Sequence, residues 1–401
     1  MILLFAVVSG AQTNRYVSTT GSDSNDGTTS DNAHAWRTIS HAAGLAQAGW
    51  TVHVLPGTYA ECVIMNSAGG TSSAHIVFIS DTKWGTKITG CNGSDRAAFR
   101  VNTGPYIDII SFEVTNSCAA GCTQGIEMYA AHGRVIGNHV HDVTANVGGG
   151  GIHTHSSTTT DVEINGNLVH DIGNYLNPPG TYYEQTQGIY DETTRTRIVN
   201  NIVYRNQAWG ITMYHSPTDG TITGNSVVDN GCGGMDIEHD VNGTFNSFTT
   251  VSNNIVMNNG QHCGAGGAVF SYGIVDEGST SNNVYYNNLV WGNLNRGNAA
   301  SSSNQLISLG SGIVVSGTVY ADPKFVSYTS DSLSNDYHLQ SNSSAINAGT
   351  VNGSSTGFTG PAATDFDGVT RPQGGGYDIG AYEFVSATPP AAPTGLTSVV
   401  Y

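Results

Sequence analysis

The sequence predicts an all-β solenoid, a chain wound into stacked coils of short strands. Three observations carry that reading. The first is a phrase repeated six times: Asn138-His139-Val140, Asn167-Leu168-Val169, Asn201-Ile202-Val203, Asn225-Ser226-Val227, Asn254-Ile255-Val256 and Asn288-Leu289-Val290. The second is its spacing of 29, 34, 24, 29 and 34 residues, the size of one coil. The third is composition. With 52 glycines and 11% charged residues, the chain disfavours long helices and suits turns and short strands. The regular Val and Ile spacing, without a helical period, argues against disorder.

Each Asn opens an apolar run that soon reaches a second polar residue: Asp142, Asp171, Asn206, Asp229, Asn259 or Asn293. Stacked internal Asn side chains can hydrogen-bond coil to coil, so the Asn column reads as structural. The His141-Asp142 and His170-Asp171 pairs follow that column and read as turn residues. Along the chain, residues 15–31 form an extended strand and a turn-rich loop. Residues 34–48 have the only clear helical character, with Trp36, Ile39, Ala43 and Ala46 near one face. A short helix there would cap the open N-terminal end. Residues 50–59 give a strand and a Pro-Gly turn. Coils continue through residues 76–79, 107–114 and the six repeats to about Gly297. Residues 298–311 read as a loop.

The net charge is −17, from 13 Lys plus Arg against 30 Asp plus Glu. Nucleic acid is excluded as a partner, because phosphate binding needs basic stripes. A polyanionic substrate would need cations or a local Arg cluster to screen it. Residues 1–11 end in Ser9-Gly10-Ala11 and resemble the end of a secretory signal peptide. That run is too short to span a bilayer, and no other apolar run approaches a membrane span. Six cysteines fit an oxidised compartment. The pairs Cys62–Cys91 and Cys232–Cys263 would each link roughly one coil to the next, and Cys118–Cys122 would close a small loop. Connectivity stays open, since six cysteines allow fifteen pairings. Zinc is the lesser use, because no CxxC pair is present.

Residues 321–385 differ from the coils. They carry Ala321-Asp322-Pro323-Lys324-Phe325, Tyr337-His338-Leu339-Gln340, Asp365-Phe366-Asp367-Gly368, Arg371-Pro372-Gln373 and Tyr377-Asp378-Ile379-Gly380-Ala381-Tyr382-Glu383. This string resembles the C-terminal module of many secreted bacterial right-handed parallel β-helix proteins. Tyr16-Val17-Ser18, Gly21-Ser22-Asp23-Ser24-Asn25-Asp26-Gly27 and Pro56-Gly57-Thr58-Tyr59 resemble the N-terminal module of the same proteins. The resemblance implies a right-handed parallel β-helix over residues 12–320 and secretion. It implies no single reaction, since that pectate-lyase-like superfamily holds lyases, glycoside hydrolases and proteins of other roles. Residues 386–401 form a Pro-rich linker that resembles the opening of a fibronectin type III domain.

A second register precedes each Asn: Gly125-Ile126-Glu127-Met128-Tyr129, Gly151-Ile152-His153-Thr154-His155, Gly188-Ile189-Tyr190-Asp191-Glu192, Gly210-Ile211-Thr212-Met213-Tyr214 and Gly234-Met235-Asp236-Ile237-Glu238. A weaker last copy is Ala268-Val269-Phe270-Ser271-Tyr272. Strand side chains alternate between faces, so the third and fifth residues of each copy face outward. One file then holds Glu127, His153, Tyr190, Thr212, Asp236 and Phe270. The other holds Tyr129, His155, Glu192, Tyr214, Glu238 and Tyr272. Inert exposed strands would carry Thr, Ser, Asn and Lys. This mixture of carboxylates, imidazoles and phenols instead suits a carbohydrate chain.

Glycosidic hydrolysis needs two carboxyl groups, ~6.5–9.5 Å apart in inverting enzymes. Asp236 and Glu238 fit at ~6.7 Å along one strand, and Glu192 and Glu238 at ~9.6 Å across two coils. The expected catalytic set is therefore Glu192, Glu238, Asp236, Tyr214, His155 and His153. Tyr129, Tyr190, Tyr272, Glu127, His215, His239 and Arg195 would bind substrate. The favoured reading is a monomeric hydrolase of an extracellular polysaccharide, needing no cofactor. The alternative is β-elimination on a uronate, with Tyr or His moving protons and Ca²⁺ held by acidic residues, Asp191 and Asp240 among them. Only three Lys exist, none of them on the stripe. A third reading is a non-catalytic, glycan-binding surface protein.

Overall fold

The computed structural model describes residues 12–386, apart from 91–96, 118–121, 145–147, 156–158, 179–184, 238–245, 264–271, 277–280, 295–305, 309–311, 354 and 356–359. The expected signal segment, most of the linker, and Glu238, His239, Asp240 and Phe270 thus lie outside the described residues.

The chain is a right-handed parallel β-helix with three sheets. The first sheet has eleven strands, from Thr13–Val17 to Val314–Ser316. The second has nine, from Gly57–Tyr59 to Leu289–Trp291, and the third nine, from Val63–Asn66 to Leu306–Ser308. Each coil visits the sheets in turn, as in Arg134–Ile136, His139–Val143 and Gly149–Thr154. Inward side chains stack into one continuous apolar core, from Val17 and Val52 to Tyr285 and Val290. No helix among the described residues is long and apolar enough to cross a membrane.

The repeated Asn residues occupy the bend between first and second sheets, fully buried. Asn138 donates from its backbone N and its Nδ2 to Asn167 Oδ1, at 2.9 and 3.1 Å. The same pair of bonds runs from Asn167 to Asn201, Asn225, Asn254 and Asn288. Each Nδ2 also donates to a carbonyl of the preceding coil, as Asn138 does to Ile109 at 2.9 Å. A second ladder, Asn206, Asn230, Asn259 and Asn293, fills the next bend. Here the expected column slips by one residue. Asp142, Asp171 and Asp229 stand one position earlier, at left-handed φ of 50°, 51° and 54°. A short polar side chain tolerates that conformation.

The glycine that opens each third-sheet copy has a steric cause. A Cβ on Gly125, Gly151, Gly188, Gly210 or Gly234 would strike Cγ1 of Val140, Val169, Val203, Val227 or Val256.

The N-terminal helix is shorter than expected, Ile39–Leu45. Thr38 caps it by accepting from His41 N at 3.1 Å, which excludes residues 34–37. Glu61 takes the free N–H groups of Ile39 and Ser40, each at 2.9 Å. The stretch expected as loop contains one further strand, Leu306–Ser308, paired with Ile274–Asp276. The C-terminal segment lies across the later second-sheet strands. Its Phe325, Tyr337, Leu339, Ala345, Ile379 and Ala381 bury Tyr204, Val228, Ile255 and Leu289. The Arg371–Glu383 pair, buried at 3.0 Å, ties that segment together. Cys232 and Cys263 form a disulfide. Cys62 and Cys122 are also disulfide-bonded, with partners outside the described residues.

Candidate active site on the third sheet

Parallel register sets the outward columns of the third sheet. Arg100, Glu127, His153, Tyr190, Thr212, Asp236 and Val275 are successive partners. Beside them run Tyr129, His155, Glu192 and Tyr214. Their backbone N–H groups donate to Val101, Met128, Thr154 and Asp191 of the preceding coils at 2.9, 2.9, 3.1 and 3.0 Å. Glu127 and Tyr214, 87 residues apart in sequence, thereby share one wall, because they are only three coils apart.

A single chain of hydrogen bonds ties the wall together. The Arg100 guanidinium pairs with Glu127. His155 Nε2 faces Glu127 Oε1 at 2.8 Å, and its Nδ1 lies 3.6 Å from Glu192 Oε2. His153 Nε2 faces Glu192 Oε1 at 3.0 Å. His153 Nδ1 faces Gln124 Nε2 at 2.9 Å, while Gln124 Oε1 accepts from Gly150 N at 2.7 Å. That last bond fixes every proton upstream. A backbone N–H can only donate, so the Gln124 amide turns its NH₂ toward His153. His153 then accepts at Nδ1 and donates from Nε2 to Glu192. It is neutral, and burial lowers its pKa to about 4. With both nitrogens committed, it is no base.

His155 is the opposite case. Burial disfavours its charge, but hydrogen bonds to Glu127 and Glu192 outweigh that and raise its pKa. The two glutamates respond in kind. Burial pushes Glu127 up, yet His155 and Arg100 overcome it and hold the carboxyl at about 2. Glu192 likewise stays well below the carboxylate range against burial, through His153 and His155. Both carboxylates are therefore ionised at neutral pH.

Rings line the rest. Tyr129 stacks on His155 at 4.3 Å and 2°, and Tyr190 lies 4.4 Å from His153. Tyr214 sits 6.5 Å from Tyr190 and 4.3 Å from His215. His215 is exposed, with Nε2 3.8 Å from Glu192 Oε1.

The wall thus gathers His153, His155, Glu192, Tyr214, Glu127, Tyr129, Tyr190 and His215. Asp236 shares the column two coils beyond Tyr190 and is buried, as are Glu127 and His153. Three expectations change. Asp191 faces inward, opposite Glu192, and is wholly buried. Its Oδ1 accepts from Thr154, Thr193 and Thr196 hydroxyls, and burial raises its pKa to about 6 against those bonds. It cannot share an ion with Glu192. Arg195 stands at the bend into the first sheet and clasps Asp161 at 2.8 and 2.7 Å, so it locks coil to coil. Tyr272 precedes its strand, Ile274–Asp276, and packs against Trp209 and the Cys232–Cys263 disulfide. The last copy was read out of register.

Arg100 and Gln124 escaped the sequence reading. Ala98-Phe99-Arg100-Val101 repeats the apolar alternation one coil upstream, with Ala98 in the place of the opening glycine. That alternation was the available signal. Glu127, His153 and His155 each bring a ligand atom within 4.8 Å of the others. Two imidazoles and one carboxylate suit a transition ion, whereas Ca²⁺ takes six to eight oxygens.

Solved structures share the coiled fold. Pectate lyase Pel9A matches over 94% of this chain and 98% of its own, with a TM-score of 0.55 and 17% identity. An alginate lyase from Paenibacillus sp. str. FPU-7 matches over 70% of this chain and 91% of its own, with a TM-score of 0.41 and 15% identity. XylC, solved in complex with xylose, matches over 69% of this chain and 69% of its own, with a TM-score of 0.47 and 12% identity. No protein-family model and no curated protein matches the sequence.

Proposed function

We propose that this chain is a secreted polysaccharide lyase that cleaves a uronate-containing glycan by β-elimination on the third-sheet wall. The carrying observation is that Arg100 and His155 grip Glu127 while His153 and His155 face Glu192, contacts that hold both carboxyls below their ordinary range. Hydrolysis needs one carboxyl kept protonated as an acid. Neither glutamate suits that role, which leaves buried Asp236 as the one described carboxyl of the expected hydrolytic set. Elimination needs none. It needs a base at C5, a donor to the leaving oxygen and positive charge facing the uronate carboxylate.

The wall offers all three. Arg100 and His155, whose charged form both glutamates favour, offset those two carboxylates, so a uronate meets positive charge at the centre of the wall. Exposed His215, steadied by Glu192, is the base. It takes the C5 proton, the released pair forms the C4=C5 double bond, and the C4–O bond breaks. Tyr214 gives its phenolic proton to the departing oxygen, and solvent returns it. Tyr129 and Tyr190 offer ring faces to neighbouring sugars. The fold shared with a pectate lyase supports a polysaccharide substrate. The Cys232–Cys263 disulfide supports an extracellular location.

The test is incubation with polygalacturonate, alginate and neutral glycans, reading ultraviolet absorbance and reducing ends together, with and without chelator. Absorbance from a conjugated unsaturated uronate, growing in step with reducing ends, is the expected result. Reducing ends from a neutral glycan without absorbance would overturn the reading in favour of hydrolysis. Binding without any cleavage would overturn it in favour of a glycan-binding protein.

A further inference from the structure

Around the corner from the wall, the second sheet carries a second group of imidazoles that this reaction does not use. His139 and His141 lie on the strand His139–Val143, and His170 lies on Leu168–Ile172, the next coil. His141 and His170 are register partners. We infer that His139, His141 and His170 bind a divalent transition-metal ion of the zinc type.

Three observations support this site. One ring nitrogen of each histidine lies within 4.8 Å of the others. His139 Nε2 and His170 Nε2 are 2.8 Å apart, so two imidazoles aim the same nitrogen at one point. Binding at ~2.0–2.1 Å in tetrahedral geometry sets nitrogens ~3.4 Å apart, which a small opening of that pair provides. Finally, two carboxylates hold the rings from behind. Asp171 Oδ2 accepts from His170 Nδ1 at 2.6 Å, and Asp142 Oδ2 faces His141 Nδ1 at 2.8 Å. A carboxylate on one ring nitrogen fixes the tautomer and leaves the other as the ligand. The left-handed turn that carries Asp142 and Asp171 is what folds each carboxylate back onto its preceding histidine.

Charge also permits a cation. Glu113, Asp142 and Asp171 oppose Lys87 and Arg205, and Glu113 Oε1 lies 3.1 Å from His141 Nε2, within reach as a fourth ligand. The rings stack as a rigid group, His139 on His141 at 4.2 Å and His170 on Tyr204 at 4.7 Å.

The test is calorimetric titration of the whole untagged protein, stripped with chelator, with zinc chloride. Cobalt absorption in the visible range reports the ligand geometry. The expected result is one ion per chain at the second-sheet histidines, with a nitrogen-rich tetrahedral spectrum, counted apart from any ion on the wall by repeating the titration with His153→Ala. His170→Ala and His139→Gln should each weaken binding at least tenfold, and Asp171→Asn by about 10- to 100-fold. His153→Ala, on the third sheet, should leave this binding unchanged. Thermal melts of the metal-free variants confirm that each is folded, and His139→Gln preserves the volume should His170→Ala unfold. No zinc binding, or binding that survives both His139→Gln and His170→Ala, overturns the inference. Binding lost only in His153→Ala overturns it too and assigns the ion to the wall. None of these outcomes bears on the elimination chemistry, which is read with uronates instead.

Discussion

The Asn ladder and the third-sheet wall are built by the same device and do opposite work. Both stack one position of every coil into a column. The ladder is uniform and buried: each inner Asn, from Asn167 to Asn254, meets an Asn above and below and donates from both its backbone N and its Nδ2. The wall is mixed and partly open, with Arg, Glu, His and Tyr succeeding one another. A uniform column satisfies itself and transmits nothing. A mixed column places unlike charges at coil spacing and shifts their ionisation, as Glu127 and His155 do to each other. In a solenoid, variation along a stripe is therefore the mark of chemistry, and repetition is the mark of scaffolding.

Substitutions can break or sharpen that contrast. The largest effect should come from the proton-moving pair. His215→Ala and Tyr214→Phe are each expected to lower kcat roughly 10²- to 10⁴-fold with unchanged melting, read by steady-state kinetics on the uronate polymer. Next is the ladder. Asn225→Ala strips the acceptor from the Asn201 backbone N and Nδ2, both buried. Two orphaned donors cost about 2–6 kcal/mol, seen as a lower urea midpoint with unchanged kcat while folded.

Acid sensitivity comes third. The Glu127 carboxyl is held at about 2 in the fold, against 4.5 ordinarily. A lowered folded value contributes stability that is complete above about 4.5 and is lost as pH falls toward about 2. Glu192 adds to it in the same sense. Glu127→Gln should flatten the loss of stability across that window in urea titrations at stepped pH. The smallest effect belongs to the ring platform. Tyr129→Ala should raise KM about three- to tenfold and spare kcat, in keeping with one stacking contact.

Much of this was legible in the sequence. The repeats gave the coil, and alternation within Gly125–Tyr129 and its equivalents assigned Glu127, His153, His155, Glu192 and Tyr214 to one face. What escaped has physical causes. Arg100 lies in a coil without the Asn phrase or the opening glycine, so the register was not carried upstream to it. Alternation already placed Asp191 inward; its three threonine partners, Thr154 on the coil before and Thr193 and Thr196 in the following bend, form a pocket that only folding assembles. Tyr272 was misplaced because its coil lengthens ahead of the strand. His141 and His170 looked like turn residues because each precedes an Asp; both pairs lie within strands, and only the Asp takes a left-handed conformation. Ionisation states were the least legible, since they depend on which groups meet across coils.

The most direct measurement pairs two variants in one experiment: specific activity on a uronate polymer and urea midpoint, for Glu192→Gln and Asn225→Ala. The account predicts that folded Glu192→Gln loses at least roughly 100-fold in activity, beyond any fall in its midpoint, and that folded Asn225→Ala keeps its activity at a lower midpoint. An active Glu192→Gln protein, or a folded Asn225→Ala protein with activity lost, would contradict the division between wall and ladder.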